Sequence, residues 1–254
     1  MDNMASLRVV VTGGSGVLGT ALRDVRPRWT YLSRSECDVR DTIACYRTLR
    51  ALSPDVVLHT AALTDHQHPN AAEVIETNII GTQTVALACA MLGAKIAYTS
   101  THYIYGGTTG WYTEEAMPKP IGAYAMSKWS GELVVGRNDA LIVRGSWYTT
   151  ETRLDHWARR GALVDAYCSR EPVTDAARKI VALVEAKARG IINIGAYRRT
   201  FSQILHDEGY AAHEYKGITR AQLDAASAAP YPFPADTSVS TGKFEALGLE
   251  WKNV

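Results

Sequence analysis

The run Thr12-Gly13-Gly14-Ser15-Gly16-Val17-Leu18-Gly19, directly behind the stretch Leu7 to Val11, constrains this chain more than any other feature. Leu7 to Val11 is short, largely apolar and rich in β-branched residues, as a buried parallel strand requires. A turn that leaves such a strand and at once opens a helix uses glycine in three ways. Gly13 permits the tight turn, Gly16 lets a phosphate approach the backbone, and Gly19 lets the new helix lie close to the strand. The N–H groups at the helix start, with the helix dipole, favour an anion. The spacing is G-x-x-G-x-x-G rather than the commoner G-x-G-x-x-G. A dinucleotide pyrophosphate is the expected occupant, and an ordinary glycine-rich turn is the plain alternative.

Strand-like stretches at 7–12, 30–33, 56–60, 95–100 and 140–144 alternate with helical ones at 16–25, 42–53, 71–92 and 123–135. This alternation predicts an α/β fold, a Rossmann-like doubly wound parallel sheet with helices on both faces. Ligands of such sheets bind beyond the carboxyl ends of the strands. A further strand at 191–194 follows a helical stretch at 176–187. Residues 1–146 are therefore expected to form an NAD(P)-binding domain. Residues 147–254 form a small C-terminal α/β substrate-binding region, interleaved with the same sheet. The Tyr/Pro/Ala-rich tail from Ala225 to Asp236 reads as irregular, with a short closing helix near 240–247.

Composition narrows the classes. A chain of 254 residues with 46% hydrophobic content can bury a large core. Its net charge of +1 gives no basic field for nucleic acid. Cys37, Cys45, Cys89 and Cys168 are scattered without metal-ligand spacing, which suits buried thiols in a reducing cytosol. No apolar run approaches a membrane span, so a cytoplasmic protein is expected. The expected partner is a small molecule, with neither nucleic acid nor membrane, and a homodimer is compatible with this.

Tyr124 and Lys128 stand four apart on a helical stretch, so they share a face. A nearby ammonium favours phenolate over phenol and lowers the tyrosine pKa from about 10. Such a tyrosine can protonate a carbonyl oxygen as hydride reaches the carbon. Ser100 or Thr101, at a strand end, could hydrogen-bond the same oxygen. Asn78 sits mid-helix, where Asn is locally unfavourable. It is either a buried polar bridge that holds the lysine through water or part of a solvated face. The second strand ends in Ser33 and Arg34, whose hydroxyl and guanidinium suit a 2′-phosphate. NADPH is therefore expected, with NADH as the alternative if Glu36 grips the ribose instead.

These motifs resemble the extended short-chain dehydrogenase/reductases and, within them, the dTDP-4-dehydrorhamnose reductases. The resemblance runs nearly end to end. It includes Cys37-Asp38-Val39, Thr60-Ala61-Ala62, Asn78 with Gly81-Thr82, and Ser100-Thr101-His102-Tyr103-Ile104-Tyr105. It continues through Tyr124 to Lys128, Arg144-Gly145-Ser146-Trp147, and the tail from Pro234 through Thr241-Gly242-Lys243. It implies an NADPH-dependent reductase of a nucleotide-linked 4-keto sugar, in dTDP-rhamnose synthesis. Thr101 then matches the catalytic hydroxyl, Tyr124 the proton donor, Lys128 its tuning partner and Asn78 the structural asparagine. Gly13, Ser15, Gly16, Val17, Leu18 and Gly19 would bind the pyrophosphate end of the cofactor. Asp38 and Val39 would flank the adenine, and Ala61, Ala62 and Thr99 would touch its inner half. Thr64 and Trp147 match positions facing the sugar nucleotide.

Three departures bear on the substrate. His102 stands where the family usually has Asp, and is expected either to face the substrate diphosphate and titrate near pH 6.5 or to pack under the sheet edge. The stretch Asp65-His66-Gln67-His68-Pro69-Asn70 replaces the family pattern after Thr64. Its two histidines read as polar loop residues, and no metal is expected. The chain is also short for the family, with the loss between Trp147 and Val173. A nucleotide-sugar epimerase with retained NAD and a non-catalytic regulatory subunit remain the alternatives.

Overall fold

The computed structural model describes residues 7–64, 70–136, 139–149, 153–226 and 232–254. Three valines and a threonine, Val9–Thr12, form strand β1 with every side chain buried. Val9 and Val11 enter one apolar layer and Val10 the opposite one. That is the two-residue alternation of a strand covered on both faces. Helix α1 (Val17–Val25), β2 (Thr30–Leu32), α2 (Thr42–Leu52) and β3 (Val56–His59) follow. A continuous helical rod then runs from α3 (Ala71–Ile75) through a π turn (Glu76–Ile80) into α4 (Gly81–Leu92). Strand β4 (Lys95–Thr101), α5 (Gly122–Val135) and β5 (Leu141–Gly145) complete the first part.

The chain next builds a smaller region from β6 (Trp147–Tyr148), α6 (Arg153–Arg160), β7 (Ala162–Leu163), β8 (Tyr167–Cys168) and β9 (Glu171–Pro172). It returns to the large sheet through α7 (Val173–Glu185) and β10 (Gly190–Asn193), then leaves it again. Strand β11 (Arg199–Thr200), α8 (Phe201–Asp207), β12 (Gly217–Ile218) and α9 (Arg220–Ala226) belong to the smaller region, and α10 (Gly242–Glu245) closes the chain against β10. The region pairs β6 with β9, β7 with β12 and β8 with β11. Its core is a separate cluster that includes Tyr148, Leu154, Leu163, Phe201 and Ile204.

The large sheet has the order β2-β1-β3-β4-β5-β10, with every pair parallel. Strand β1 has β2 on one side and β3 on the other, so the winding reverses at β1 and opens a crevice at the strand ends. His59, the last residue of β3, ties this point together. Its Nδ1 lies 2.7 Å from the Thr12 hydroxyl at the end of β1, and its Nε2 lies 3.1 Å from that of Thr82 on α4. The expected alternation, the return of the chain at 191–194 and the closing helix are all present.

One expectation needs correction. The rod Ala71–Leu92 has the length and a mean hydropathy, 1.2, of a membrane-crossing helix, although its residues alternate too finely with polar ones to form an unbroken apolar run. The face with Val74, Thr82, Val85, Ala88 and Cys89 is buried. Val85, Ala88 and Cys89 pack with residues of β1, β3 and α2. This is a core helix of an α/β fold.

Gly13 has φ +73°, and a Cβ there would stand 2.6 Å from the Ala61 nitrogen. Gly13→Ala should therefore cost about 1–3 kcal/mol from combined backbone strain and overpacking. Gly93 has a similar φ of +68° but open space around it, so Gly93→Asn should cost much less. Urea midpoints of the two variants, measured side by side, check this. Equal midpoints would mean that the contact with Ala61 does not hold the turn.

Candidate active site

A cleft of about 410 Å³ opens at the strand ends. Gly13, Gly16, Val17, Leu18 and Gly19 line it from the β1–α1 turn. Thr60, Ala62 and Thr64 line it from the segment after β3, Ser100, Thr101 and Tyr103 from the end of β4, and Tyr124 from α5. Gly145 to Thr149 and Arg170 contribute from the end of β5 and the smaller region.

The glycine turn is built for an anion. A Cβ on Gly19 would meet the Gly13 carbonyl oxygen at 2.5 Å, so α1 can sit this close only with glycine there. The first turn of α1 carries no acidic side chain. Its free N–H groups and dipole therefore face the cleft without internal competition. These residues fit a dinucleotide pyrophosphate.

The end of β2 is less simple. Glu36 folds back onto Ser33 and accepts from its N–H at 2.8 Å and its hydroxyl at 2.6 Å. Those bonds hold the Glu36 carboxyl below the ordinary carboxylate range. Arg34 is exposed and 3.7 Å from Asp38, whose closer partner is Arg40 at 2.6 Å. Arg40 is the main reason the Asp38 carboxyl is lowered to about 2. The Ser33 donors expected to meet a 2′-phosphate thus already hold the Glu36 carboxylate, and Arg34 stands beside Asp38. Ser33, Arg34, Asp38 and Val39 lie outside the walls of the cleft. Asp38 borders a separate depression with Arg40, Thr42 and Ile80, and Val39 is part of the core.

The π turn places Asn78. This extra-wide turn brings a buried amide to the segment after β3. Asn78 Oδ1 accepts from Leu63 N–H at 2.8 Å, and Nδ2 donates to Leu63 O and to Ser127 Oγ, both at 2.9 Å. The solvated-face alternative is therefore excluded. The amide pins the backbone between Ala62 and Thr64, and it reaches α5 through Ser127, the residue before Lys128. Lys128 itself is buried, with Nζ 4.1 Å above the Tyr98 ring. Burial pulls its pKa from 10.5 to about 7, against an opposing pull from Glu132.

Ser100 and Thr101 are separated by their partners. The Ser100 hydroxyl donates to Glu132 Oε1 at 2.5 Å. Thr101 Oγ1 instead accepts, from Tyr103 N–H at 3.3 Å, and among the described residues its O–H proton meets no acceptor. Glu132 is held in turn by Arg144, at 2.7 and 3.0 Å, with neither side chain exposed. Arg144 continues to the Tyr105 hydroxyl at 2.8 Å, which reaches Asn193 Oδ1 at 3.1 Å.

Other expected site residues stand elsewhere. His102 does not face the cleft. Its ring is buried, Nε2 meets Ile194 O at 3.0 Å, and Nδ1 has no hydrogen-bond partner among the described residues. Burial lowers its pKa to about 3, so it is neutral at working pH. Thr99 is buried with its hydroxyl donating to His59 O at 3.1 Å. Ala61 supports the Gly13 turn, and Ser15 is an exposed turn residue. His66 and His68 lie outside the described residues. Among the described residues no group of His, Cys, Asp and Glu forms a metal site. Sequence reasoning missed Tyr148, Arg170 and the core bridge of His59. Only His59 left a signal, as a polar residue closing an apolar strand.

Residues 7–236 match the family described as RmlD substrate binding domain. The chain belongs to that family. It is 32% identical to dTDP-4-dehydrorhamnose reductase of Mycobacterium tuberculosis, over 92% of this chain and 83% of that protein. A shorter likeness, 29% identity over 54% of this chain and 45% of the relative, links it to methionine adenosyltransferase 2 subunit beta of Rattus norvegicus. The fold is shared with dTDP-4-dehydrorhamnose reductase from Bacillus anthracis, solved in complex with NADP. The TM-score is 0.83 at 22% identity, covering 98% of this chain and 96% of that one.

His59 and His102 are both lowered from 6.5 to about 3 by burial. The unfolded chain takes up these protons near pH 6.5 and the folded chain does not. Their contribution to stability is thus complete above that pH and is lost as pH falls toward 3. His102→Gln keeps a donor for Ile194 O without titrating. Its stability should fall less steeply than wild type below pH 6, by about 1.4 kcal/mol per pH unit. Parallel slopes in urea titrations at pH 7, 6 and 5 would show that His102 is charged in the folded protein.

Proposed function

We propose that this chain is an NADPH-dependent reductase of a nucleotide-linked 4-keto sugar, taking dTDP-4-dehydrorhamnose or a near analogue. The observation that carries the reading is the Thr101 hydroxyl, whose proton meets no acceptor among the described residues, in the same cleft as Tyr124 and the glycine turn. Membership of the family and the likeness to the mycobacterial reductase support it. The bound nicotinamide supplies a hydride to the keto carbon. The Thr101 O–H donates to the keto oxygen and orients it. Tyr124 gives that oxygen its phenolic proton as negative charge develops. Lys128, one helical turn on, favours the phenolate that remains. Asn78 keeps the Leu63 backbone and α5 in register. Residues 1–146, with α7 and β10, carry the cofactor. Trp147, Thr64 and the smaller region shape the sugar-nucleotide side. The free, buried cysteines suit the reducing cytosol.

The deciding experiment incubates the protein with NADPH and a panel of nucleotide-4-keto sugars while following cofactor absorbance. Steady oxidation is expected. Epimerised product without net oxidation would select an epimerase. Cofactor binding without turnover would select a regulatory role, the alternative raised by the partial likeness to subunit beta. Tyr124→Phe should lower turnover about 100- to 10,000-fold with little change in NADPH affinity. Near-normal turnover in that variant would remove Tyr124 from the proton-donor role.

The Ser33–Glu36 contact makes a second prediction. Glu36→Gln removes a carboxylate that occupies the 2′-phosphate donors. It should tighten NADPH about tenfold, as expected for freeing one charge-assisted bond of about 1.5 kcal/mol, and leave NADH nearly unchanged. Equal shifts for both cofactors would place Glu36 away from the 2′ position.

A further inference from the structure

Arg170 is a buried cation that the proposed chemistry does not use. Its side chain lines the cleft, yet the residue is only 7% exposed. Burying a charge is costly unless it is paired. Among the described residues its hydrogen-bond partners are two neutral oxygens, Trp147 O at 3.3 Å and the Tyr103 hydroxyl at 3.0 Å. Neighbouring carboxylates are committed to other cations. Glu171 holds Lys179 at 2.5 Å, Asp207 holds Arg199 at 2.8 Å, and Asp236 holds Arg198 at 2.7 Å. The guanidinium is instead kept in place by ring faces, with its carbon 5.6 Å from the Tyr103 and Phe201 centroids and 5.8 Å from that of Trp157. Two backbone neighbours brace it further, since Trp147 opens β6 and Glu171 pairs with it in β9. A fixed, desolvated guanidinium with spare N–H groups, facing a cleft and lacking a counter-ion among the described residues, is the arrangement that receives an oxyanion.

We propose that Arg170 binds an oxyanion of the substrate in the part of the cleft formed by the smaller region. This rests on reading the cleft as a nucleotide-sugar site. Two groups on such a substrate share the required chemistry, the diphosphate and a carboxylate on the sugar. Arg170 is separate from the glycine turn, so the cleft has two cationic or dipolar anchors, one for each bound molecule.

The test uses the whole chain loaded with NADPH, and measures binding rather than turnover, so it stands even if no 4-keto sugar is reduced. Thymidine diphosphate, thymidine and glucuronic acid are the probes, each titrated calorimetrically into wild type, Arg170→Gln and Arg170→Lys. The expected result is that Arg170→Gln weakens thymidine diphosphate about 10- to 100-fold, leaves thymidine unchanged, and leaves NADPH affinity within twofold. Arg170→Lys keeps the charge but loses the fork, and should fall between the two. A loss confined to glucuronic acid supports the proposal and assigns the oxyanion to the sugar. Unchanged affinity for both anions in either folded variant overturns it. So does an equal loss for thymidine, which would make Arg170 a packing residue for the Tyr103, Trp157 and Phe201 rings. If Arg170→Gln does not fold, Arg170→Lys alone decides, because unaltered diphosphate and glucuronic acid binding in that variant is incompatible with a bidentate contact.

Discussion

The ion pair between Glu132 and Arg144 holds the site together. Neither side chain is exposed, and removing one partner of such a pair typically costs about 3–5 kcal/mol, because the other charge is left buried. Its value here is in what it connects. Glu132 lies on α5, one turn beyond Lys128 and two beyond Tyr124. Arg144 lies in β5, beside β4 with Ser100 and Thr101. The pair is extended by the Ser100 hydroxyl on one side and by Tyr105 and Asn193 on the other. Asn193 also donates to Tyr112 O, which belongs to the segment bridged to Val239. Displacement of α5 by even a fraction of an ångström would strain several charge-assisted bonds at once.

That rigidity explains the division of labour at the end of β4. Adjacent strand residues point to opposite faces, and the two hydroxyls meet different partners. Ser100 spends its proton on Glu132 and so belongs to the scaffold. Thr101 accepts a backbone N–H and lines the cleft, where its proton meets no acceptor among the described residues. Lys128 belongs with the scaffold too. Its ammonium is buried against the Tyr98 ring, and burial brings its pKa to about 7. The Lys128 charge is therefore not a constant near neutral pH.

Much of this was legible in the sequence, and for identifiable reasons. The strand–helix alternation follows from local apolar periodicity, and the glycine turn from steric demands that no other residue meets. Tyr124 and Lys128 are linked by helical spacing alone. What escaped depends on contacts between distant segments. The orphaned cation at Arg170 is invisible in Ser169-Arg170-Glu171, where it reads as half of a neighbouring charge pair, because Glu171 turns to Lys179 instead. The neutral state of His102 follows from burial, which lowers its pKa against an opposing pull from the Ile194 carbonyl, and that burial comes from segments far along the chain. The smaller region was expected, but its strands escaped because each is two residues long, too short to display a period. The bonds from Ser33 to Glu36 escaped as well, since a side chain that satisfies the strand end three residues before it leaves no mark in composition.

The order of the strands then accounts for where chemistry can occur. Strands β1, β3, β4 and β5 are consecutive neighbours in the sheet. The glycine turn follows β1, Thr101 ends β4, and the chain leaves β5 through Gly145 and Ser146 into Trp147. An anion held at the glycine turn and another held beside Trp147 would thus be anchored on opposite sides of the β4 terminus. In the proposed reaction each anchor would bind charge that does not change during reduction of a ketone. The groups between them, Thr101 and Tyr124, line the same cleft, and in the proposed reduction these neutral donors would meet the one oxygen whose charge does change. Binding energy gathered at the two ends can then orient the reacting atoms without stabilising the ground-state carbonyl itself, which is the condition for spending it on the transition state.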